Sequence, residues 1–375
     1  MYDQIRGDTL YIMLYAVVTA MSIMASCYLL FRQGNAFARD ITTPLRLRRL
    51  TAVFFAFFAL NNAWYMPIFF ITSSEDIKMI DLIGGLLDCM TSLPLAIIVL
   101  LAMLQDRRRQ LWPVAVMFAP LIVGNAMCVA TRSYDLVPLL YLYALLVCIG
   151  FIIYMVRETR RYGRWLRDNY ADLEHKEVWQ SLVVLAIILL AFVTYALASN
   201  GPAYQYSMQV ISIVLICYLL WRVETLSDLS IPDNDTSEET VATEHEKDNA
   251  LALSVRNNIR PLLKLHCEEQ QLYLEYDLTL SQLVQKIGTN RLYLSQYFSS
   301  QGTTYNTYIN GLRIQHFINK YHEAATAHQP ITAQKLALQS GFRNYNTFGV
   351  AFKKIMGMTA TEWMRNDSEC GHLQN

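Results

Sequence analysis

Charge is scarce in the front half of this chain, and histidine is missing from its apolar stretches. Over 375 residues only 17% are Asp, Glu, Lys or Arg, while 54% are hydrophobic. Ordinary soluble domains hold ~25% and ~45–50%. Both departures are concentrated in residues 1–223, which excludes a soluble globular front half. The chain contains no HExxH, no GxSxG and no glycine-rich loop followed by Lys-Ser/Thr. Those patterns supply a zinc-bound water, a serine nucleophile or a phosphate cradle, so no enzymatic activity is expected. The seven cysteines form no CxxC pair, and none has His at metal-ligand spacing. They read as small buried hydrophobes or free thiols in a reducing compartment. Neither a metal nor a cofactor is implied.

In place of charge stand long apolar runs. Stretches near 10–31, 50–72, 79–104, 111–130, 136–156, 178–198 and 204–222 are close to the ~20 residues that cross ~30 Å of hydrocarbon as a helix. They lack the polar face that a soluble core helix shows every third or fourth position. The first is long and has neither a basic leader nor a small-residue cleavage site, so it reads as an anchor. The expectation is seven transmembrane helices in a lipid bilayer.

The loops between them alternate in charge. One set carries Arg32, Arg39, Arg46, Arg48 and Arg49, then Arg107, Arg108 and Arg109, then Arg157, Arg160, Arg161, Arg164, Arg167 and Lys176. The other set holds only Arg6, Lys78 and Arg132. Lys and Arg accumulate in cytoplasmic loops, which predicts the N-terminus outside and the C-terminal tail in the cytoplasm. Within the spans, Asp88 lies roughly 13 Å below the outer end of its helix. Asn61 and Asn62 fall near the middle of the second span, and Asn125 lies in the fourth. Such groups face partners or a cavity rather than lipid. Asn61, Asn62, Asp88 and Asn125 are therefore candidates for a site that senses a small molecule or a membrane signal, or for contacts that only fix packing. Pro67, Pro94, Pro113 and Pro120 are candidate kinks.

From Glu224 the chain turns acidic, through Asp233, Asp235, Glu238, Glu239, Glu244, Glu246 and Asp248. With little to bury, 224–249 reads as a solvated linker. Helical periodicity resumes over Ala250–Tyr273, either as the first helix of a C-terminal domain at 250–375 or as the element coupling it to the membrane.

That domain repeats one pattern. Thr279-x-x-x-Leu283-Val284-x-x-x-Gly288 leads to Leu294 and Phe298, and Thr332-x-x-x-Leu336-Ala337-x-x-x-Gly341 leads to Phe348 and Phe352. Each reads as a capped helix, a turn at glycine and a second helix with inward residues at i and i+4. This is the sequence form of a helix-turn-helix, whose second helix enters a DNA major groove. Thr279 or Ser281 would cap the first unit, and Arg291–Ser299 would be its reading helix. Thr304–Tyr321 forms a rigid spacer of roughly 27 Å. In the second unit Thr332 caps, Ser340-Gly341-Phe342 turns, and Asn344–Met356 follows. Two rigidly joined units can reach successive major grooves, so one chain reads two half-sites; pairing of chains into a homodimer stays open. Lys286, Arg291, Arg313, Lys320, Lys335, Arg343, Lys353, Lys354 and Arg365 outnumber Asp277, Glu323 and Glu362, an excess suited to phosphate. The amides of Gln296 and Asn346 can pair with adenine, and Leu292, Val350 and the Tyr345 ring can touch thymine methyls.

The residues Leu278-Thr279-Leu280, Gly288, Tyr293-Leu294-Ser295-x-x-Phe298, Gly302, Tyr308-Ile309-Asn310-x-x-Arg313-Ile314 and Gly341-Phe342-x-x-x-x-x-Phe348-x-x-x-Phe352-Lys353-Lys354-x-x-Gly357-x-Thr359 resemble the AraC-type regulator domain. The resemblance covers about 250–366. It implies a seven-helix bundle with two helix-turn-helix units acting on double-stranded promoter DNA in bacteria, with RNA polymerase as a further partner. It also implies base contacts at Leu292, Ser295, Gln296, Tyr345, Asn346 and Val350. Phosphate contacts would come from Lys353, Lys354 and the helix starts, here Asn290, Arg291, Arg343 and Thr347. Three places depart from the pattern: Phe317 replaces a small residue, Ala360 replaces proline, and Lys320-Tyr321 replaces a leucine pair. The expected protein is all-α: a transmembrane bundle in the bacterial inner membrane that controls a cytoplasmic DNA reader. The alternative is a transporter or channel with a regulatory tail.

Overall fold

The computed structural model describes residues 8–32, 43–107, 109–173, 176–179, 187, 202–229, 259–327 and 332–372. Among these residues there are thirteen α-helices and no β-strand. The chain divides into two compact units, Met1–Tyr162 with Val178–Ser230, and Gly163–Glu177 with Ile231–Asn375. The second unit thus recruits fifteen residues, Gly163–Glu177, that the sequence places among the membrane loops.

The first unit contains α1 (Thr9–Phe31), α2 (Leu45–Tyr65), α3 (Ser74–Met90), α4 (Ser92–Ala102), α5 (Trp112–Thr131), most of α6 (Val137–Asn169) and α7 (Pro202–Thr225). Six helical stretches are long and apolar enough to cross a membrane, with α3 and α4 forming one of them. The span expected at 178–198 lies almost wholly outside the described residues, as do Arg39 and Arg108. The stretch at 79–104 breaks because Pro94 has no N–H and its ring crowds the carbonyl four residues earlier, so α3 stops at Met90.

The outward faces of these helices are apolar, unlike those of a soluble bundle. On α1, Tyr11, Tyr15, Val18, Ser22, Ala25 and Leu29 turn inward at alternating steps of four and three, whereas Leu10, Met13, Val17, Ile23 and Met24 are exposed. Small and polar residues let the backbones approach: the Ser26 hydroxyl donates to the Ala52 carbonyl at 2.8 Å. That is the packing expected where lipid solvates the outer surface.

Several arginines counted as loop charges are folded into ion pairs. Arg48 is buried in the first turn of α2, where its Nε donates to the Leu29 carbonyl at 2.9 Å and lies 3.8 Å from Glu224. Glu224, expected to open the acidic linker, instead sits in the last turn of α7 and accepts from the Tyr28 hydroxyl at 3.1 Å. Arg107 and Arg109 both reach Glu158 of α6, at 2.8 and 2.9 Å. The rest of the linker, from 230 on, lies outside the described residues.

The second unit has two separate hydrophobic cores. The first gathers Ile259, Leu263, Leu278, Leu283, Leu294, Phe298 and Ile309, with Ala171 among them. The second gathers Ile314, Phe317, Leu336, Phe342, Phe348 and Phe352. The helices are α8 (Leu280–Ile287), α9 (Arg291–Ser300), α10 (Tyr305–Thr326), α11 (Ala333–Gln339), α12 (Tyr345–Met356) and α13 (Ala360–His372). Helical turns begin at Ile259 and pass into a π-helical segment, Lys264–Glu269; residues 250–258 of the expected first helix lie outside the described set.

Candidate nucleic-acid interface and buried polar network

Local chemistry fixes both helix pairs. Thr279 caps α8 in a reciprocal box: its hydroxyl accepts from the Gln282 N–H at 3.2 Å, while the Gln282 carbonyl accepts from the Thr279 N–H at 2.8 Å. Gly288, at φ 72°, ends the helix. Asn290 caps α9 by accepting from the Leu292 N–H at 2.8 Å. In the second pair Thr332 caps α11, and Asn344 caps α12 by accepting from the Thr347 N–H at 2.9 Å. Gly341 is required twice over. Its φ is 83°, and a Cβ there would fall 2.7 Å from the backbone of Leu274. That close approach ties the second turn to the first core.

On α9 the residues Leu294 and Phe298 are buried, Leu292 and Gln296 are exposed, and Ser295 is half-buried. On α12 Phe348 and Phe352 are buried, while Asn346, Val350, Lys353 and Lys354 are exposed. Tyr345, expected to point outward, is half-buried, with its ring 5.6 Å from that of Phe348. Thr347 gives its hydroxyl proton to the Asn344 side-chain oxygen at 2.9 Å, and Arg343 is half-buried at the turn. Asn290 is exposed.

Arg313 is not a surface charge for phosphate. Only 1% of it is exposed. Its Nε donates to the Tyr273 carbonyl at 2.7 Å, and an Nη to the Glu275 carbonyl at 2.6 Å. Its guanidinium stacks 5.6 Å from the Phe342 ring. Burial pushes its pKa down to about 10, so it stays charged at neutral pH. It fastens the loop of the first core to the turn of the second. Phe317, larger than the family pattern expects, fills the second core with its ring 4.6 Å from Phe348. Cys267 is buried in the first core, and burial pushes its thiol up to about 12, so it is chemically quiet.

Gly163–Glu177 runs along this unit. The Asn169 side-chain oxygen accepts from Arg291 Nε at 3.1 Å and also from an Nη of the same arginine. The Ala171 carbonyl accepts from Asn306 Nδ2 at 2.6 Å. Lys176 pairs with Asp277 at 3.6 Å. Sequence reading missed this segment, because nothing local distinguishes it from an arginine-rich loop.

In the first unit two of the four candidate signal residues come together. Asn61 Nδ2 lies 2.9 Å from Asp88 Oδ1, from the Thr91 hydroxyl and from the Ser92 hydroxyl. The Tyr65 hydroxyl donates to the other Asp88 oxygen at 3.1 Å. Asn62 turns to α1, where its Nδ2 donates to the Thr19 hydroxyl at 2.8 Å and its carbonyl accepts from Tyr15. Asn125 stays apart, donating to the Leu121 carbonyl at 2.8 Å and approaching Cys89. A second polar group was not foreseen: Tyr11 donates to Gln205 at 3.0 Å, and Tyr206 donates to Asp8 at 2.6 Å. Tyr15 stands beside Tyr11 and joins this group to Asn62.

Residues 283–366 match a family described as a helix-turn-helix domain. Over 91 residues the chain is 31% identical to the HTH-type transcriptional activator RhaR of Salmonella heidelberg (strain SL476), and equally to those of Salmonella choleraesuis (strain SC-B67) and Salmonella typhi. The matched region is 24% of this chain and spans only 30% of those relatives' length. No solved structure matches.

Proposed function

We propose that this AraC-type helix-turn-helix domain works as the output of a membrane-embedded, one-component transcription regulator. One observation carries the reading: a domain matching DNA-binding regulators follows, in one chain, a set of helices apolar enough to cross a membrane and polar toward one another. Seven spans would hold the N-terminus outside and the DNA reader in the cytoplasm. The arginine-rich stretch 157–167 leads directly into Gly163–Glu177, which packs within the same unit as the reader; this supports the orientation, since both then lie on one side of the membrane.

Each helix pair acts as one helix-turn-helix. The exposed edge of α9, at Leu292, Ser295 and Gln296, reads one major groove; Asn346 and Val350 of α12 read the next, with Tyr345 at its margin. At ~1.5 Å per residue the 22-residue α10 is ~33 Å long, close to one DNA turn. Asn290, Arg291, Arg343, Thr347, Lys353 and Lys354 meet phosphate. RNA polymerase is the expected downstream partner, and one chain suffices for two half-sites. The Asn61–Asp88 network and the Tyr11–Tyr206 group, which Tyr15 joins to Asn62, are the parts of the bundle through which a signal would act. A transporter would need a polar path, whereas these polar side chains bond to each other across helices.

The test is genome-wide mapping of binding sites for the full-length protein in its own membrane, with the C-terminus tagged. Discrete promoter-proximal sites, steeply salt-sensitive when rebuilt in vitro, are expected. Absence of enriched sites, or a C-terminus accessible from outside, would refute the proposal.

A further inference from the structure

We infer that residues 167–173 and 176–177 form an internal competitor for DNA, a strap that restrains the reader until the membrane bundle withdraws it. The inference rests on the DNA-reading function proposed above. The strap directly continues α6 and is built into the reader rather than resting on it. Ala171 is 2% exposed within the first core. Its N–H donates to the Leu278 carbonyl at 3.4 Å, and Tyr170 pairs with Thr279 as an antiparallel bridge. Asn306, the second residue of α10, reaches the carbonyls of Ala171 at 2.6 Å and Tyr170 at 3.3 Å.

Two features place the strap on the DNA side. Arg291 opens the first reading helix and is a phosphate-contact candidate, yet its guanidinium is taken by the Asn169 carboxamide oxygen. That oxygen stands where a phosphate oxygen would accept. The second feature is a cavity of about 370 Å³ between the strap and the second reading helix. Its walls include Arg167 and Glu177 from the strap, Asn310 from α10, and Asn346, Val350 and Lys354 from the outer face of α12. A reading helix must enter a groove ~12 Å wide with its outer face against base edges. Asn346 and Val350 stay exposed, but the strap walls the space beside them that a bound duplex would enter. Glu177, exposed on the same wall, adds a negative charge beside the reading face. Strap and DNA thus compete for Arg291 and for the space beside α12, and a signal that favours either one shifts the balance.

The competition can be read with the full chain in lipid nanodiscs and a randomised duplex library, followed by titration of the selected fragment. Ala171→Asp places a charge in the first core's wall and should expel the strap. Its negative sign works against DNA binding, so tighter binding cannot be a charge artefact. An affinity gain of about ten-fold or more is expected, from the loss of several hydrogen bonds that compete with DNA. In a second variant, Tyr170→Cys with Thr279→Cys, bridge geometry allows a disulfide that locks the strap. Oxidation should remove DNA binding and reduction restore it, while the parent chain is unaffected by the same cycle. Restoration shows that the variant is folded.

Equal binding by parent, Ala171→Asp and the oxidised lock would overturn the strap and leave the DNA-reading function intact. Tighter binding by the locked form would overturn it as well. If no form, reduced or oxidised, selects any duplex, the DNA-reading function itself fails and the strap fails with it.

Discussion

Phe317→Ala should dismantle half of the DNA reader and leave the other half standing. The ring is fully buried, with the rings of Phe348 and Phe352 at 4.6 and 5.6 Å. Truncating a buried phenylalanine costs ~3–5 kcal/mol, including ~0.5–1.5 kcal/mol for each ring pair. The second core has nine buried members, so the loss is a large part of what holds it. A whole domain commands only ~5–15 kcal/mol. Native-state hydrogen exchange on the full chain in nanodiscs reads the two cores separately. Protection over Tyr345–Met356 should fall by roughly two to three and a half orders of magnitude. Protection over Leu280–Ile287 should change by less than about 1 kcal/mol. DNA footprints should contract to one half-site. Equal loss across both helices would show that the cores are one cooperative unit, and a loss below about 1 kcal/mol at α12 would show that Phe317 is not its keystone.

Asn346→Ala should relax preference at one base position by about 1–3 kcal/mol, whereas Lys354→Ala should weaken all sequences alike; a selection experiment on both variants that gives identical profiles would reverse these roles. Asp88→Asn replaces the carboxyl group that Asn61 and Tyr65 bond, and should abolish the transcriptional response in a reporter strain while leaving DNA affinity in nanodiscs unchanged. A normal response would reduce Asp88 to packing. Burial and the neighbouring Lys320 hold the His316 imidazole below its ordinary value of 6.5. The unfolded chain therefore takes up this proton first: the reader is fully stable with respect to His316 above pH 6.5 and loses stability as pH falls below it. His316→Gln, which can keep the hydrogen bond to Tyr273, should flatten that part of the acid limb, as followed by denaturant titration; an unchanged limb would exclude the coupling.

Local features were legible in the sequence. Thr279, Thr332 and the glycines at 288 and 341 marked their helices because capping and positive φ act within four residues. Six of the expected apolar spans appear for the same reason, since span length is a property of one segment. What escaped notice depends on distant partners. Arg313 looked like a phosphate contact until the loop at Tyr273–Tyr276 supplied carbonyls from about forty residues away. Asn61 and Asn62 are adjacent, but a helical step of ~100° sends them to different neighbours. Asn169 and Ala171 meet the reader across more than a hundred residues, and no local pattern foretells such a meeting.

The uninterrupted course of α6 has a mechanical consequence. Its 33 residues make a rod of ~50 Å, some 20 Å longer than the hydrocarbon it would cross. In the membrane-embedded arrangement proposed above, such a rod would carry motion from lipid to the reader without a hinge. A tilt of a few degrees, pivoting in the bilayer, would move its inner tip by an ångström or more. Hydrogen bonds of 2.6–3.4 Å do not survive such a displacement unchanged, so on the proposed strap mechanism membrane thickness or tension would bear on the hold at Ala171.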